Sequence, residues 1–213
     1  MAPPYLKLCG LHSEEDVITA NHSRADYVGF VMAESKRKVH PNEAASWLDR
    51  HKLPGKKVAA LFVNAPLHEI RSSAAVLHPD IIQLHGAESP EEAGEVKEVT
   101  GTIVWKALPH DEYTLDKMKK YLPFVDGFVI DAKVKGAWGG TGKSFDWGHV
   151  PRYVQFGKDE RIPVLIAGGI TPANIENLLS YHPWGIDLSS GIEQNGKKDK
   201  HLIHELEKRL NDD

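Results

Sequence analysis

The chain has 213 residues, 41% of them hydrophobic, and its 26 Lys and Arg against 30 Asp and Glu give a formal net charge of −4. That fits one domain over residues 1–213 with a sizeable buried core. It excludes a membrane protein, because no apolar stretch approaches the ~18 residues a span requires. It also excludes a nucleic-acid binder, because the basic clusters Lys36-Arg37-Lys38 and Lys197-Lys198 are too short for such a footprint.

Residues 1–5 lack the charged-then-apolar order of a signal peptide. Cys9 is the single cysteine, which rules out an internal disulfide framework and a multi-cysteine metal site. A reducing cytoplasm is the expected compartment. The 12 histidines are scattered, with no His-Glu-x-x-His spacing, so no metal is expected.

Apolar runs alternate with helix-start signals along the chain. Tyr5–Cys9 is the first run, and Ser13 followed by Glu14, Glu15 and Asp16 reads as a capped helix start. Tyr27–Val31 is next, followed by a segment opening at Pro41-Asn42-Glu43. Val58–Val63 precedes a helix begun by Pro66, with Leu67, Ile70, Ala74 and Leu77 near a 3.6 period. Ile81–Leu84 precedes Ser89-Pro90-Glu91-Glu92, which carries an N-cap, a first-turn Pro and a Glu at the third position. Ile103–Ala107 and a short helix over Leu115–Leu122 follow. Gly127–Asp131 leads into a glycine-rich loop and a weak helix near Trp147–Phe156. Pro163–Ala167 precedes a helix capped at Thr171-Pro172. Gly185–Leu188 precedes a last helix near Lys198–Leu210.

Eight strand–helix pairs with no remainder predict an α/β protein whose eight parallel strands close into a (β/α)8 TIM barrel with short loops. Chemistry in such barrels sits at the carboxyl ends of the strands. The polar residues there include Cys9, Asn64, His85, Lys106, Asp131 and Asp187.

Two glycine loops fall after strands seven and eight. Ala167-Gly168-Gly169-Ile170-Thr171-Pro172 and Ser189-Ser190-Gly191 can bring backbone N–H groups close to an anion, and barrel phosphate sites often occupy this pair of loops. A small phosphorylated molecule is the expected partner. A third loop, Gly139-Gly140-Thr141-Gly142, lacks a Walker context; it reads as a lid or substrate-contacting turn, or as a plain surface loop.

Alternation along the first strand puts Tyr5, Lys7 and Cys9 on the barrel-interior face and Leu6 and Leu8 on the other. On the sixth, Val129 and Asp131 face inward. Spacing alone leaves Cys9 either a small packing residue or a reactive thiol, and Asp131 either a cap or a working carboxylate.

The ordered set of motifs is more specific. Lys7-Leu8-Cys9-Gly10-Leu11, Asp26-Tyr27-Val28-Gly29-Phe30, Ser35-Lys36-Arg37-Lys38-Val39 and Phe62-Val63-Asn64 are followed by Gln83-Leu84-His85-Gly86 and Lys106-Ala107. Then come Gly139–Gly142 with Phe145-Asp146-Trp147, Ala167-Gly168-Gly169, Asp187-Leu188-Ser189-Ser190-Gly191 with Glu193, and Lys198-Asp199. Spanning nearly the whole chain, this set resembles the phosphoribosylanthranilate isomerases of tryptophan biosynthesis. Leu8 stands where Ile is usual, and Ala25 where a glycine usually precedes the Asp.

The resemblance implies a cofactor-free Amadori rearrangement of N-(5-phosphoribosyl)anthranilate to 1-(2-carboxyphenylamino)-1-deoxyribulose 5-phosphate. It implies Asp131 as general acid and Cys9 as general base, the thiolate supported by a cation such as Lys7 or Lys106. Arg37 would meet the anthranilate carboxylate, Asp187 the substrate amine or hydroxyls, and Gly140 the substrate from its loop. His85 would line the pocket or pack beneath it, and Lys106 would be a charge partner inside the barrel. Gly168, Gly169, Ser189, Ser190 and Gly191 would hold phosphate.

Three rivals remain compatible with the sequence. The related isomerase of histidine biosynthesis uses an aspartate where this chain has Cys9. Indoleglycerol-phosphate synthase has an extra segment before strand one. The third is a non-catalytic sugar-phosphate-binding barrel. Monomer and homodimer are equally compatible with the sequence.

Overall fold

The structure, a computed structural model, describes residues 3–132 and 145–211. Eight strands form one closed parallel barrel in chain order: β1 (Tyr5–Cys9), β2 (Tyr27–Val31), β3 (Lys57–Phe62), β4 (Ile81–Leu84), β5 (Ile103–Pro109), β6 (Gly127–Asp131), β7 (Val164–Ala167) and β8 (Gly185–Leu188). β1 pairs with β8 to close it, placing Lys7 opposite Asp187. This is the expected TIM barrel.

The helices between strands are α1 (Glu14–Asn21), α2 (Pro41–Arg50), α3 (Leu67–Leu77), α4 (Pro90–Thr100), α5 (Thr114–Tyr121), α6 (Val150–Glu160) and α7 (Ile175–Leu179), with α8 (Lys200–Asn211) after the last strand. Their starts follow local chemistry. Ser13 Oγ accepts from Asp16 N at 3.2 Å. Ser89 Oγ accepts from Glu92 N at 3.2 Å while Glu92 Oε2 accepts from Ser89 N at 2.6 Å, a reciprocal cap ahead of Pro90.

Alternation sorts side chains into two apolar layers. Leu6, Leu8, Val28, Phe30, Phe128 and Ile130 pack outward against the helices. Cys9, Ala59, Leu61, Val129, Leu165 and Ala167 fill the barrel itself. Aromatic rings stack near the amino-terminal mouth, Tyr5 on Trp184 at 4.4 Å and Tyr27 on Trp105 at 5.1 Å. That end is occupied by side chains, so access is from the carboxyl ends of the strands.

Three features depart from the sequence reading. Thr171-Pro172 does not cap a helix: α7 begins at Ile175, with Asn174 before it. Asn174 instead braces the preceding loop, its Oδ1 accepting from Thr171 N at 2.8 Å and its Nδ2 donating to Gly169 O at 2.9 Å. A short antiparallel hairpin, β9 (Glu193–Gln194) and β10 (Lys197–Lys198), follows β8. Its turn residues Asn195 and Gly196 both have positive φ, 53° and 81°, as a tight hairpin turn requires.

The third departure is Lys106. It shares the outward face with Val104 and Leu108, not the interior face of Trp105 and Ala107. Its Nζ donates to Gly86 O and to Glu88 Oε2, both at 2.7 Å, and lies 5.7 Å from the Tyr121 ring centre. Lys106 is therefore a brace for the loop after β4, and it does not reach the Cys9 side of the barrel.

Among the described residues, no helix is long and apolar enough to cross a membrane, and no group of three or more His, Cys, Asp or Glu side chains is placed to hold a metal ion.

Candidate active site

A cleft opens at the carboxyl ends of the strands. Cys9, Arg37, His85, Asp131, Gly168, Gly169, Asp187, Ser189, Ser190 and Gly191 all line it. Of the residues singled out from sequence, Gly140 and the rest of Gly139–Gly142 lie outside the described residues.

Cys9 is the last residue of β1 and 8% exposed. Burial pushes its thiol above the ordinary range, and the neighbouring Lys7 and Lys198 only partly oppose this. The thiolate support expected from Lys7 is thus outweighed. Lys7 lies one pleat below, fully buried, and its Nζ donates to Asp187 Oδ2 and Gln83 Oε1, each at 2.8 Å. Burial lowers the Lys7 ammonium, but Asp187 and Cys9 outweigh it and its pKa is raised. Lys7 therefore stays charged, with most of its field directed into Asp187. The other carboxylate oxygen, Asp187 Oδ1, is buried without a partner among the described residues.

Asp131 ends β6 and is 6% exposed. Its Oδ1 accepts from Ala132 N at 2.7 Å, and its Oδ2 lies 3.5 Å from His85 Nε2. Gly168, with φ of 89°, packs directly on it: a Cβ there would sit 2.7 Å from Asp131 Oδ1. The first glycine loop is thus shaped around the carboxylate as well as around its own turn.

Arg37 follows β2 and is held over the cleft from two sides. Its Nε and Nη2 donate to Glu193 Oε1 and Oε2 at 2.7 and 2.8 Å. Lys198 Nζ donates to Glu193 Oε1 at 2.7 Å and to Ser189 O at 3.1 Å. Burial raises the Glu193 carboxyl, but Arg37 and Lys198 outweigh it and hold it low. Gly10 makes room underneath, since a Cβ at its φ of 77° would lie 2.6 Å from Arg37 Cδ. The Arg37 Nη1 edge has no acceptor among the described residues.

The β7 and β8 loops touch: a Cβ on Gly191 would overlap the Ile170 carbonyl. No described residue accepts from the N–H groups of Gly169, Ser190 or Gly191. They are donors on the wall of a cleft that also holds a cation, a thiol and carboxylates.

Three residues around this cleft had no assigned role from sequence, Gln83, Glu193 and Lys198, while Lys7, expected beside the Cys9 thiol, is the partner of Asp187. Gln83, Lys7 and Glu193 act through contacts distant in sequence, whereas Lys198 reaches Glu193 across the short hairpin. Only the hairpin carrying Glu193 and Lys198 had a local signal, Asn195-Gly196.

The chain as a whole is similar to known proteins. The family model described as "N-(5'phosphoribosyl)anthranilate (PRA) isomerase" matches residues 6–209. An N-(5'-phosphoribosyl)anthranilate isomerase of Geobacillus thermodenitrificans is 48% identical over 209 residues, covering 98% of this chain and 95% of its own. The crystal structure of phosphoribosyl anthranilate isomerase from Thermotoga maritima superposes with a TM-score of 0.84 at 28% identity, covering 97% of this chain and 98% of that one. A structure of such an isomerase in complex with reduced 1-(o-carboxyphenylamino)-1-deoxyribulose 5-phosphate superposes with a TM-score of 0.77, at 28% identity and the same coverage. With the family model spanning almost the entire barrel, the chain belongs to the N-(5'-phosphoribosyl)anthranilate isomerase family.

Proposed function

We propose that this cleft isomerises N-(5'-phosphoribosyl)anthranilate to 1-(o-carboxyphenylamino)-1-deoxyribulose 5-phosphate in tryptophan biosynthesis, with Asp131 as acid and Cys9 as base. One observation carries this reading: a thiol and a carboxylate line the same cleft, with Arg37 and the paired glycine loops also on its wall.

The chemistry assigns each group. The Asp131 carboxyl gives its proton to the furanose ring oxygen. The C1′–O bond breaks as the anthranilate nitrogen pair forms a C1′=N iminium. The Cys9 thiolate then takes the C2′ proton, and the electron pair returns to nitrogen as an enolamine. Loss of the proton on the C2′ hydroxyl and protonation at C1′ give the aminoketose. No net oxidation occurs, so no redox partner enters the sequence.

The Ala132 N–H on Oδ1 stabilises the Asp131 carboxylate left after the first transfer. Asp187 Oδ1, without a partner among the described residues, accepts from a substrate hydroxyl or amine in this reading. Arg37, held by Glu193, presents its remaining N–H groups to the anthranilate carboxylate. The N–H groups of Gly169, Ser190 and Gly191 suit phosphate oxygens, with Gly168 and Ser189 shaping the two loops.

Freshly prepared phosphoribosylanthranilate is fluorescent, and its loss follows turnover. Enzyme-dependent decay with a matching rise of the aminoketose is the expected result. Binding without turnover would instead favour a sugar-phosphate-binding barrel.

A further inference from the structure

Gln83 lies beneath the cleft wall, fully buried on β4, and touches no solvent. It stands between two groups whose chemistry fixes its orientation. Lys7 Nζ lies 2.8 Å from one end of the Gln83 amide. An ammonium has three donors and no acceptor, so the end facing it is the carbonyl oxygen. The amide NH2 must then face the other way, where His85 Nδ1 lies 3.4 Å away.

An amide NH2 only donates, so Nδ1 must present its lone pair. In a neutral imidazole the single hydrogen is then on Nε2, the nitrogen 3.5 Å from Asp131 Oδ2. A polar relay, buried as far as Gln83, thus runs from Asp187 through Lys7, Gln83 and His85 to Asp131. Its polarity is set at the Lys7 end, where the charge is fixed.

We propose that Gln83 is a positioning residue that holds neutral His85 as the Nε2–H tautomer, so that this N–H faces Asp131. The proposal rests on the acid role given to Asp131 above. When Asp131 releases its proton, the new carboxylate finds the Ala132 N–H on Oδ1 and the His85 N–H toward Oδ2. The opposite tautomer would put a lone pair against that oxygen and oppose the transfer. Ligand binding need shorten the His85–Asp131 separation only slightly to make it a hydrogen bond.

The test is heteronuclear NMR of the ligand-free enzyme with ring-labelled histidine, His85 being identified by the signal lost in His85→Asn. In the wild type, Nδ1 should carry the lone pair and Nε2 the hydrogen. Gln83→Glu keeps an acceptor for Lys7 but replaces the donor by a second acceptor, so the hydrogen should move to Nδ1. Its kcat should fall on the order of tenfold, part of what a positioned acid supplies, with KM changed by less than about twofold. Gln83→Met, which neither donates nor accepts strongly, should lose the tautomer preference and serves if the Glu variant does not fold.

A wild-type Nδ1–H tautomer would overturn the proposal without any variant. So would a switched tautomer with unchanged kcat, or a Gln83→Glu enzyme with wild-type tautomer and rate. Since the tautomer is read without substrate, an enzyme that failed to turn over phosphoribosylanthranilate would sink the assigned reaction and leave this arm standing.

Discussion

Arg37 and Glu193, 156 residues apart in sequence, form a two-pronged ion pair at the cleft, with N–O distances of 2.7 and 2.8 Å. The pair uses the Nε side of the guanidinium and leaves the far edge for a ligand. Arg37→Ala should therefore raise KM and weaken anthranilate-bearing ligands by roughly tenfold or more, the worth of hydrogen bonds to a charged group. Inorganic phosphate should bind as before. Arg37→Lys should not restore affinity, because an ammonium cannot engage both Glu193 oxygens and a second planar carboxylate. Glu193→Gln should weaken the same ligands less. Titration calorimetry with a product analogue and with phosphate separates these effects, and an equal loss of phosphate affinity would remove Arg37 from the carboxylate end.

Lys7 and Asp187 are partners of the β1–β8 closure, buried in the barrel. Lys7→Met leaves Asp187 without its counter-ion and should cost about 3–5 kcal/mol of stability. Asp187→Asn alone should also destabilise, by leaving Lys7 unpaired. The double variant should recover much of the loss, because it removes both charges. Denaturant melts of the four proteins give the coupling directly, and simple additivity of the two single losses would show that the pair is not coupled.

The pH dependence follows from the thiol. Burial raises Cys9, so in the free enzyme the thiolate that acts as base is a minor form near neutrality. Alkylation of this one thiol should accelerate about tenfold per pH unit and continue past the usual thiol value of about 8.5. A plateau near pH 7 would show an activated thiolate instead. Linkage has a definite sign here. Cys9 and Lys7 both have folded-state values above their ordinary ones. Each contributes stability that is full below the unfolded-state value and lost as pH rises through the folded one. Melting temperature should therefore fall on the alkaline side, and Cys9→Ser should lessen that fall.

Strand alternation made much of this barrel legible. Lys7, Cys9 and Asp131 face inward because Leu6, Leu8 and Ile130 must meet the helices. Lys106 is a charge partner as its type suggests, but of Glu88 outside the sheet and not inside the barrel. Its long side chain instead runs outside the sheet to loop carbonyls and Glu88. The β9–β10 hairpin carried an Asn-Gly signal, overshadowed by the helix after it. The contact of Lys7 with Gln83 spans 76 residues and that of Arg37 with Glu193 spans 156. No periodicity encodes such pairings; they exist only once the barrel closes.

The most direct measurement is turnover of phosphoribosylanthranilate by Cys9→Ser and Asp131→Asn beside the wild type, with product-analogue affinity measured on the same samples. A hydroxyl is a far poorer base than a thiolate near neutral pH, and an amide cannot donate the proton that opens the ring. Each variant should keep the fold and the analogue affinity and lose on the order of 10²–10⁴ in kcat. Wild-type-like turnover by either variant would contradict the assignment of Cys9 as base and Asp131 as acid.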